Sequence, residues 1–124
     1  MDITPLVAAG RQLIERYAPG GFRVSGVIYQ GPVLVFPDRT VPWSARTPDA
    51  VSWESLVPVV EHGDIRILLL GLGRTMNPLP APLRRALRAA GIVLESMDTG
   101  AACRTYNVLV AEGRQVAAAL IPPV

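Results

Sequence analysis

An α/β fold with an N-terminal β-hairpin and a C-terminal βαβαβ run is predicted by three features of this sequence. Residues 65–121 alternate strand-like apolar runs with helix-like stripes. Residues 22–36 read as an N-terminal β-hairpin. The chain has 124 residues, half of them hydrophobic and only 18% charged, enough apolar material for one well-buried core. Together these describe a single α/β domain spanning residues 1–124.

Taken in order, Leu6, Ala9, Leu13 and Tyr17 recur at three- and four-residue spacings, which predicts a first helix over residues 5–17 with Pro5 near its start. Gly10 weakens that helix, and Pro19-Gly20-Gly21 ends it. Residues 22–30 place Phe22 and Val24 on one face and Arg23 and Ser25 on the other, as a half-buried strand does. Gly31-Pro32 then separates this strand from the β-rich residues 33–36, giving the expected hairpin. Residues 37–53 are irregular, with Pro37, Pro42 and Pro48 spaced around Trp43 and Trp53. A short helix is expected over residues 52–61, although Pro58 suits a helix interior badly.

The second half is more sharply patterned. Residues 65–70 form a nearly unbroken apolar run, the mark of a strand covered on both faces. A loop over residues 71–80 leads into a helix over 82–90, where Leu83 and Leu87 make the buried stripe and Gly91 follows as a cap. Residues 92–97 form the next strand, parallel to the first because a helix connects them. Asp98 is placed to cap a third helix over about 99–112, ended by Gly113. The final strand covers 116–121, and Pro122-Pro123 stops it.

Composition removes several chemistries. All twelve basic residues are arginine, so no Schiff-base lysine, P-loop lysine or Ser–Lys dyad exists. The sole histidine, His62, and the sole cysteine, Cys103, exclude a multi-ligand His/Cys zinc site and an intramolecular disulfide. The formal charge is +2 and the arginines are scattered, which argues against nucleic acid as a partner. The first residues lack the basic and apolar regions of a secretory signal, and no apolar run is long enough to span a bilayer. A cytoplasmic protein that is not integral to a membrane is expected.

Gly71-Leu72-Gly73, Gly91-Ile92 and above all Met97-Asp-Thr-Gly-Ala-Ala-Cys-Arg-Thr-Tyr-Asn-Val-Leu-Val-Ala-Glu-Gly-Arg114 carry a resemblance. The chain resembles the Mth-type domain family of unknown function, which includes the mitochondrial complex I assembly factor three and the adipogenesis-associated Mth-type domain protein. The likeness extends to residues 22–29, residues 33–37 and Trp43. It implies a three-layer α/β fold around a mixed central β-sheet and, for the mitochondrial members, a part in assembling respiratory NADH dehydrogenase. It brings no defined reaction. Leu72 replaces a threonine common in the family's loop, so no role of that hydroxyl carries over.

The candidate binding residues are Gly71, Gly73, Arg74, Thr75, Asp98, Thr99, Arg104 and Asn107, which bracket the crevice between a strand end and a helix start. Free amides there, with Arg104 as a bidentate clamp, suit a small anion. The alternative is structural: Asp98 caps the helix, Arg104 pairs with an acid such as Glu112, and Glu112 and Arg114 satisfy each other. The Gly71-x-Gly73 turn resembles a dinucleotide-binding loop with Glu95 about twenty residues on, but Met76 stands at the third glycine's position. No cofactor and no catalytic set are therefore expected. Cys103 is either a thiol activated by Arg104 or a small core residue. Trp43 and Trp53 either mark a protein-binding surface or cover an edge of the core. Arg84, Arg85 and Arg88 form a charged helix face, solvated or reserved for an acidic partner or an anionic lipid. The leading expectation is an accessory or assembly protein that binds other proteins, including membrane-complex subunits. The alternative is a binder or enzyme for a small anionic ligand in the crevice between the loop of residues 71–75 and the helix start of residues 98–107.

Overall fold

A computed structural model describes residues 10–74 and 79–124. Eight strands and three helices follow in the order β1 (Ile14–Ala18), β2 (Gly21–Val24), β3 (Val27–Gln30), β4 (Val33–Val35), β5 (Thr40–Pro42), α1 (Trp53–His62), β6 (Ile67–Leu72), α2 (Ala81–Ala89), β7 (Val93–Met97), α3 (Thr99–Ala111) and β8 (Val116–Ile121). A single 3-10 turn, Pro48–Ala50, precedes α1.

The strands form two sheets, a small antiparallel one ordered β1-β2-β3 and a larger one ordered β5-β4-β8-β6-β7. In the larger sheet β8 pairs parallel with β6 and antiparallel with β4, while β7 runs parallel to β6, so the sheet is mixed. All six residues of β8 are buried. Alternation along the strands divides the core in two. Leu68, Leu70, Ala117 and Ala119 join Leu56 and Val59 of α1 and Leu87 of α2. Leu69, Ala118 and Leu120 face the other way, onto Ala102, Tyr106 and Val110 of α3 and onto Ile14, Phe22 and Val24 of the small sheet. Cover on both faces explains the unbroken apolar runs of β6 and β8. The layers are thus α1 and α2, the mixed sheet, and α3 with the small sheet.

Two expectations are corrected. The helix read over residues 5–17 is not present where the structure describes it: Ile14–Ala18 is a strand, and residues 5–9 lie outside the described residues. Pairing with β2 overrides the helical spacing, since Tyr17 sits opposite Phe22 and Ile14 opposite Val24. The hairpin turn is also displaced. It falls at Ser25-Gly26, within the segment read as one strand, and joins β2 to β3. Both turn residues have positive φ, 45° and 84°, as a two-residue type I′ turn requires. Gly31, with φ 82°, then carries the chain into the other sheet, where β4 finds β5 and β8 rather than β3.

Strand β5 and the 3-10 turn fall within residues 37–53, which the sequence reads as irregular, and the remaining elements match their expected positions to within two residues. Helix α1 opens on a capping box in which Ser52 and Ser55 exchange hydrogen bonds, and closes on Gly63 at φ 86°. Pro58 is tolerated because it and Glu54, whose carbonyl it leaves unpaired, both lie on the exposed side. No helix among the described residues is long and apolar enough to cross a membrane.

Gly71 marks where α3 comes closest to the sheet. A Cβ there would stand 2.9 Å from Leu120 Cδ2, 3.0 Å from Thr99 Cα and 3.1 Å from Ala102 Cβ. Gly71→Ala is expected to destabilise the fold by about 1–3 kcal/mol through overpacking, read as a lowered denaturation midpoint. An unchanged midpoint would show that the helix can withdraw without loss.

Candidate functional site

Strand β6 ends in the loop that faces the start of α3, and the groups there are joined to one another. The Gly73 amide donates to Thr99 Oγ1 (2.8 Å), and that hydroxyl donates to the Ile121 carbonyl (2.6 Å). The Thr99 amide closes the circuit by donating to Gly73 O at 3.0 Å. Thr99 is buried, so this one hydroxyl ties the ends of β6 and β8 to the first residue of α3. Gly73 reaches the geometry with φ 71°, a conformation that favours glycine. Asp98 Oδ1 accepts from the Ala101 amide at 2.8 Å, an N-cap. Arg74 is exposed, and Thr75 lies outside the described residues.

The structure therefore gathers Gly71, Gly73, Asp98 and Thr99 at one place and turns Arg104 and Asn107 toward another. Asn107 Nδ2 donates to the Ile14 carbonyl (2.7 Å) while the Ile14 amide donates to Asn107 Oδ1 (2.9 Å). The carboxamide acts as a strand partner for β1, and it explains an asparagine in mid-helix. Tyr106, a turn-neighbour on α3, donates its hydroxyl to Gln12 O at 3.1 Å. Burial pushes that phenol above its ordinary pKa. Arg104 Nη1 donates to Tyr17 Oη at 3.0 Å, so its partner is a β1 phenol and not Glu112. Gly100 makes room for this contact, since a Cβ there would lie 2.7 Å from Tyr17 Oη. A depression of about 320 Å³ between β1 and α3 is lined by Arg16, Tyr17, Cys103, Arg104 and Asn107 among others.

Cys103 is buried within this layer, and desolvation, outweighing the nearby Arg104 charge, pushes its thiol up to about 12. That is the core reading of the residue, with no thiolate near neutral pH. The tryptophans separate. Trp43 is buried and donates Nε1–H to Ser55 O (2.8 Å), whereas Trp53 is 37% exposed at the start of α1.

One cluster had no signal in the spacing of residues. His62 stacks on Phe36 with ring centroids 4.8 Å apart, and its Nε2 meets Asp38 Oδ1 at 2.8 Å. Arg39 lies over the same Phe36 ring, 5.2 Å from its centroid, and its Nη1 reaches Asp38 Oδ2 at 3.0 Å. The His62 hydrogen bond foremost holds the Asp38 carboxyl below its usual range. His62 and Asp38 are 24 residues apart, and only the fold unites them.

On the opposite layer, Arg84, Arg85 and Arg88 are exposed on α2 beside β7, and none forms an ion pair among the described residues.

A mixed sheet clamped between a helical layer and a helix-plus-hairpin layer defines a three-layer α/β protein whose crevice groups are tied to one another. Residues 14–121 match the family described as "Protein of unknown function (DUF498/DUF598)", and the chain belongs to that family. An uncharacterized protein of Rhodobacter capsulatus is 38% identical over 114 residues, covering 92% of this chain and 87% of the relative. An NADH dehydrogenase (ubiquinone) 1 alpha subcomplex assembly factor 3 of Danio rerio is 37% identical over 117 residues, covering 94% of this chain and 67% of its own length. Its Homo sapiens counterpart is 35% identical, with 64% of its length covered, so the chain spans about two thirds of these factors. Among solved structures, one described as an outer membrane protein from Bartonella henselae superposes with a TM-score of 0.81 at 36% identity, over 93% of this chain and 98% of that one. A Mth938-like domain from Bordetella pertussis gives 0.83 at 27% identity, over 98% and 92%.

Two outcomes test the local readings. Asn107→Ala strips the β1 backbone of the two hydrogen bonds it makes with the Asn107 carboxamide and is expected to destabilise the protein by about 2 kcal/mol, with amide exchange rising first in β1–β3. Uniform exchange across the fold would contradict the clamp. Cys103 is expected to resist a thiol reagent at pH 8 until denaturant unfolds the chain, and prompt labelling of the native protein would contradict its buried state.

Proposed function

We propose that this chain is a non-enzymatic accessory factor that acts by binding proteins, and that its partners are subunits of a membrane-bound NADH dehydrogenase during assembly. One observation carries the reading: 94% of the chain aligns, at 37% identity, with a protein named as an assembly factor of that enzyme. The geometry supports it by what it leaves over. At the crevice, the Gly73 amide, the Thr99 hydroxyl and the Asp98 carboxylate are each engaged by a neighbour. Asn107 is committed to β1 and Arg104 to Tyr17. An anion bound to the Gly73 amide, the Thr99 hydroxyl or the Asn107 carboxamide must displace an internal hydrogen bond for each contact it gains, which costs about what the contact returns. The crevice is read accordingly as a structural joint, and the working surface lies elsewhere.

The reading is tested by deleting the gene in the organism that encodes it and resolving detergent-solubilised membranes on native gels. Assembled NADH dehydrogenase is expected to fall several-fold while its unassembled subunits persist, and the plasmid-borne gene is expected to restore it. An unchanged level of assembled enzyme would overturn the proposal.

A further inference from the structure

The larger sheet ends on β7, and among the described residues no strand pairs with its outer edge. The Val93 amide donates to Arg66 O of the chain segment entering β6, at 2.8 Å. Because N–H and C=O of one residue point the same way and alternate along a strand, Val93, Glu95 and Met97 bond toward β6, and Leu94 and Ser96 turn their amide groups outward. These outward groups make no backbone hydrogen bond to another described residue. Edges of this kind are templates for a further strand unless they are covered.

Beside the edge runs α2. Arg84, Arg85 and Arg88 line, with Ile92 and Leu94 among others, a depression of about 340 Å³ between the helix and the strand. Three guanidiniums along one wall, none of them in an ion pair among the described residues, set a strong preference for carboxylates, each able to take a bidentate contact. On the other face of β7, Val93 is 52% exposed and Glu95 is also exposed.

We propose that β7 and the arginine face of α2 form a docking site for an extended peptide segment that adds to the sheet as a sixth strand. The chemistry of the occupant follows from the pleat. Its residues on the α2 side are Asp or Glu, meeting Arg84, Arg85 and Arg88. Its alternate residues, on the face shared with Val93 and Glu95, are apolar or basic. Main-chain hydrogen bonds to Leu94 and Ser96 supply register, and the arginines supply selection. This site rests on the protein-binding reading above and names the surface and partner chemistry it uses.

The first test uses a fluorescein-labelled peptide, Glu-Val-Glu-Lys-Glu-Thr-Glu-Val, against a control of the same composition with its four acids contiguous. The alternating peptide is expected to bind the full chain at least tenfold more tightly, to weaken as salt rises, and to slow amide exchange at Leu94 and Ser96. The triple variant Arg84→Glu/Arg85→Glu/Arg88→Glu, which changes only exposed side chains, is expected to lose binding at least tenfold while retaining the wild-type melting temperature. Failure of the alternating peptide to bind, equal binding by the variant, or unprotected Leu94 and Ser96 amides would overturn the site. A second arm separates this proposal from the broader one. If deletion depletes assembled NADH dehydrogenase and the triple variant restores it fully, the docking site falls and the assembly reading stands. If deletion depletes nothing, the assembly reading falls, and the peptide measurement alone decides the site.

Discussion

The close seat of α3 on the central sheet is the constraint on which the other layers depend. It requires the absence of side chain at Gly71 and small residues behind it, and Ala102 on the helix and Ala118 on β8 supply them. Bulk at these positions would lift the helix, and Thr99 would lose its reach to Gly73 and Ile121. The same helix then serves a second purpose. Asn107, two turns on, holds the backbone of β1, and Tyr106 holds Gln12, so the small sheet is fastened through α3 rather than through the larger sheet's ladder. A loosened α3 would release the third layer as well as the second core.

This arrangement explains which polar residues are available for function. In an open α/β sheet the crevice beyond the strand ends is the usual ligand site, because loop amides and a helix start converge there. Here that convergence is consumed by the joint itself. Among the described residues, the outer backbone of β7 makes no ladder hydrogen bond and the neighbouring arginine side chains of α2 make no ion pair. An extended, hydrogen-bonding, positively charged surface suits a polypeptide better than a small molecule.

Much of the fold was legible in the sequence, for physical reasons that differ along the chain. Strands β6 and β8 read clearly because burial on both faces leaves a continuous apolar run, and α3 read clearly because Asp98 and Gly113 bound it. The N-terminal region misled because Leu13 and Tyr17 satisfy a helical spacing while their segment pairs as a strand, a tertiary choice no local period records. The turn at Ser25-Gly26 was obscured because serine is an uncommon residue at positive φ, and its turn role depends on its bonds with Leu13. At the site, the gathering of Gly71, Gly73, Asp98 and Thr99 was readable from strand-to-helix order. The partners of Arg104 and Asn107 were not, since Tyr17 and Ile14 lie 87 and 93 residues away.

Site-specific photo-crosslinking in living cells tests the central claim most directly, with the probe placed at Val93 on the open edge and, separately, at Arg104 on α3. The account predicts an adduct from position 93 to an NADH dehydrogenase subunit, mapping to a segment rich in alternating acidic residues, and little or none from position 104. Adducts confined to position 104 would contradict it and return function to the layer of α3 and β1.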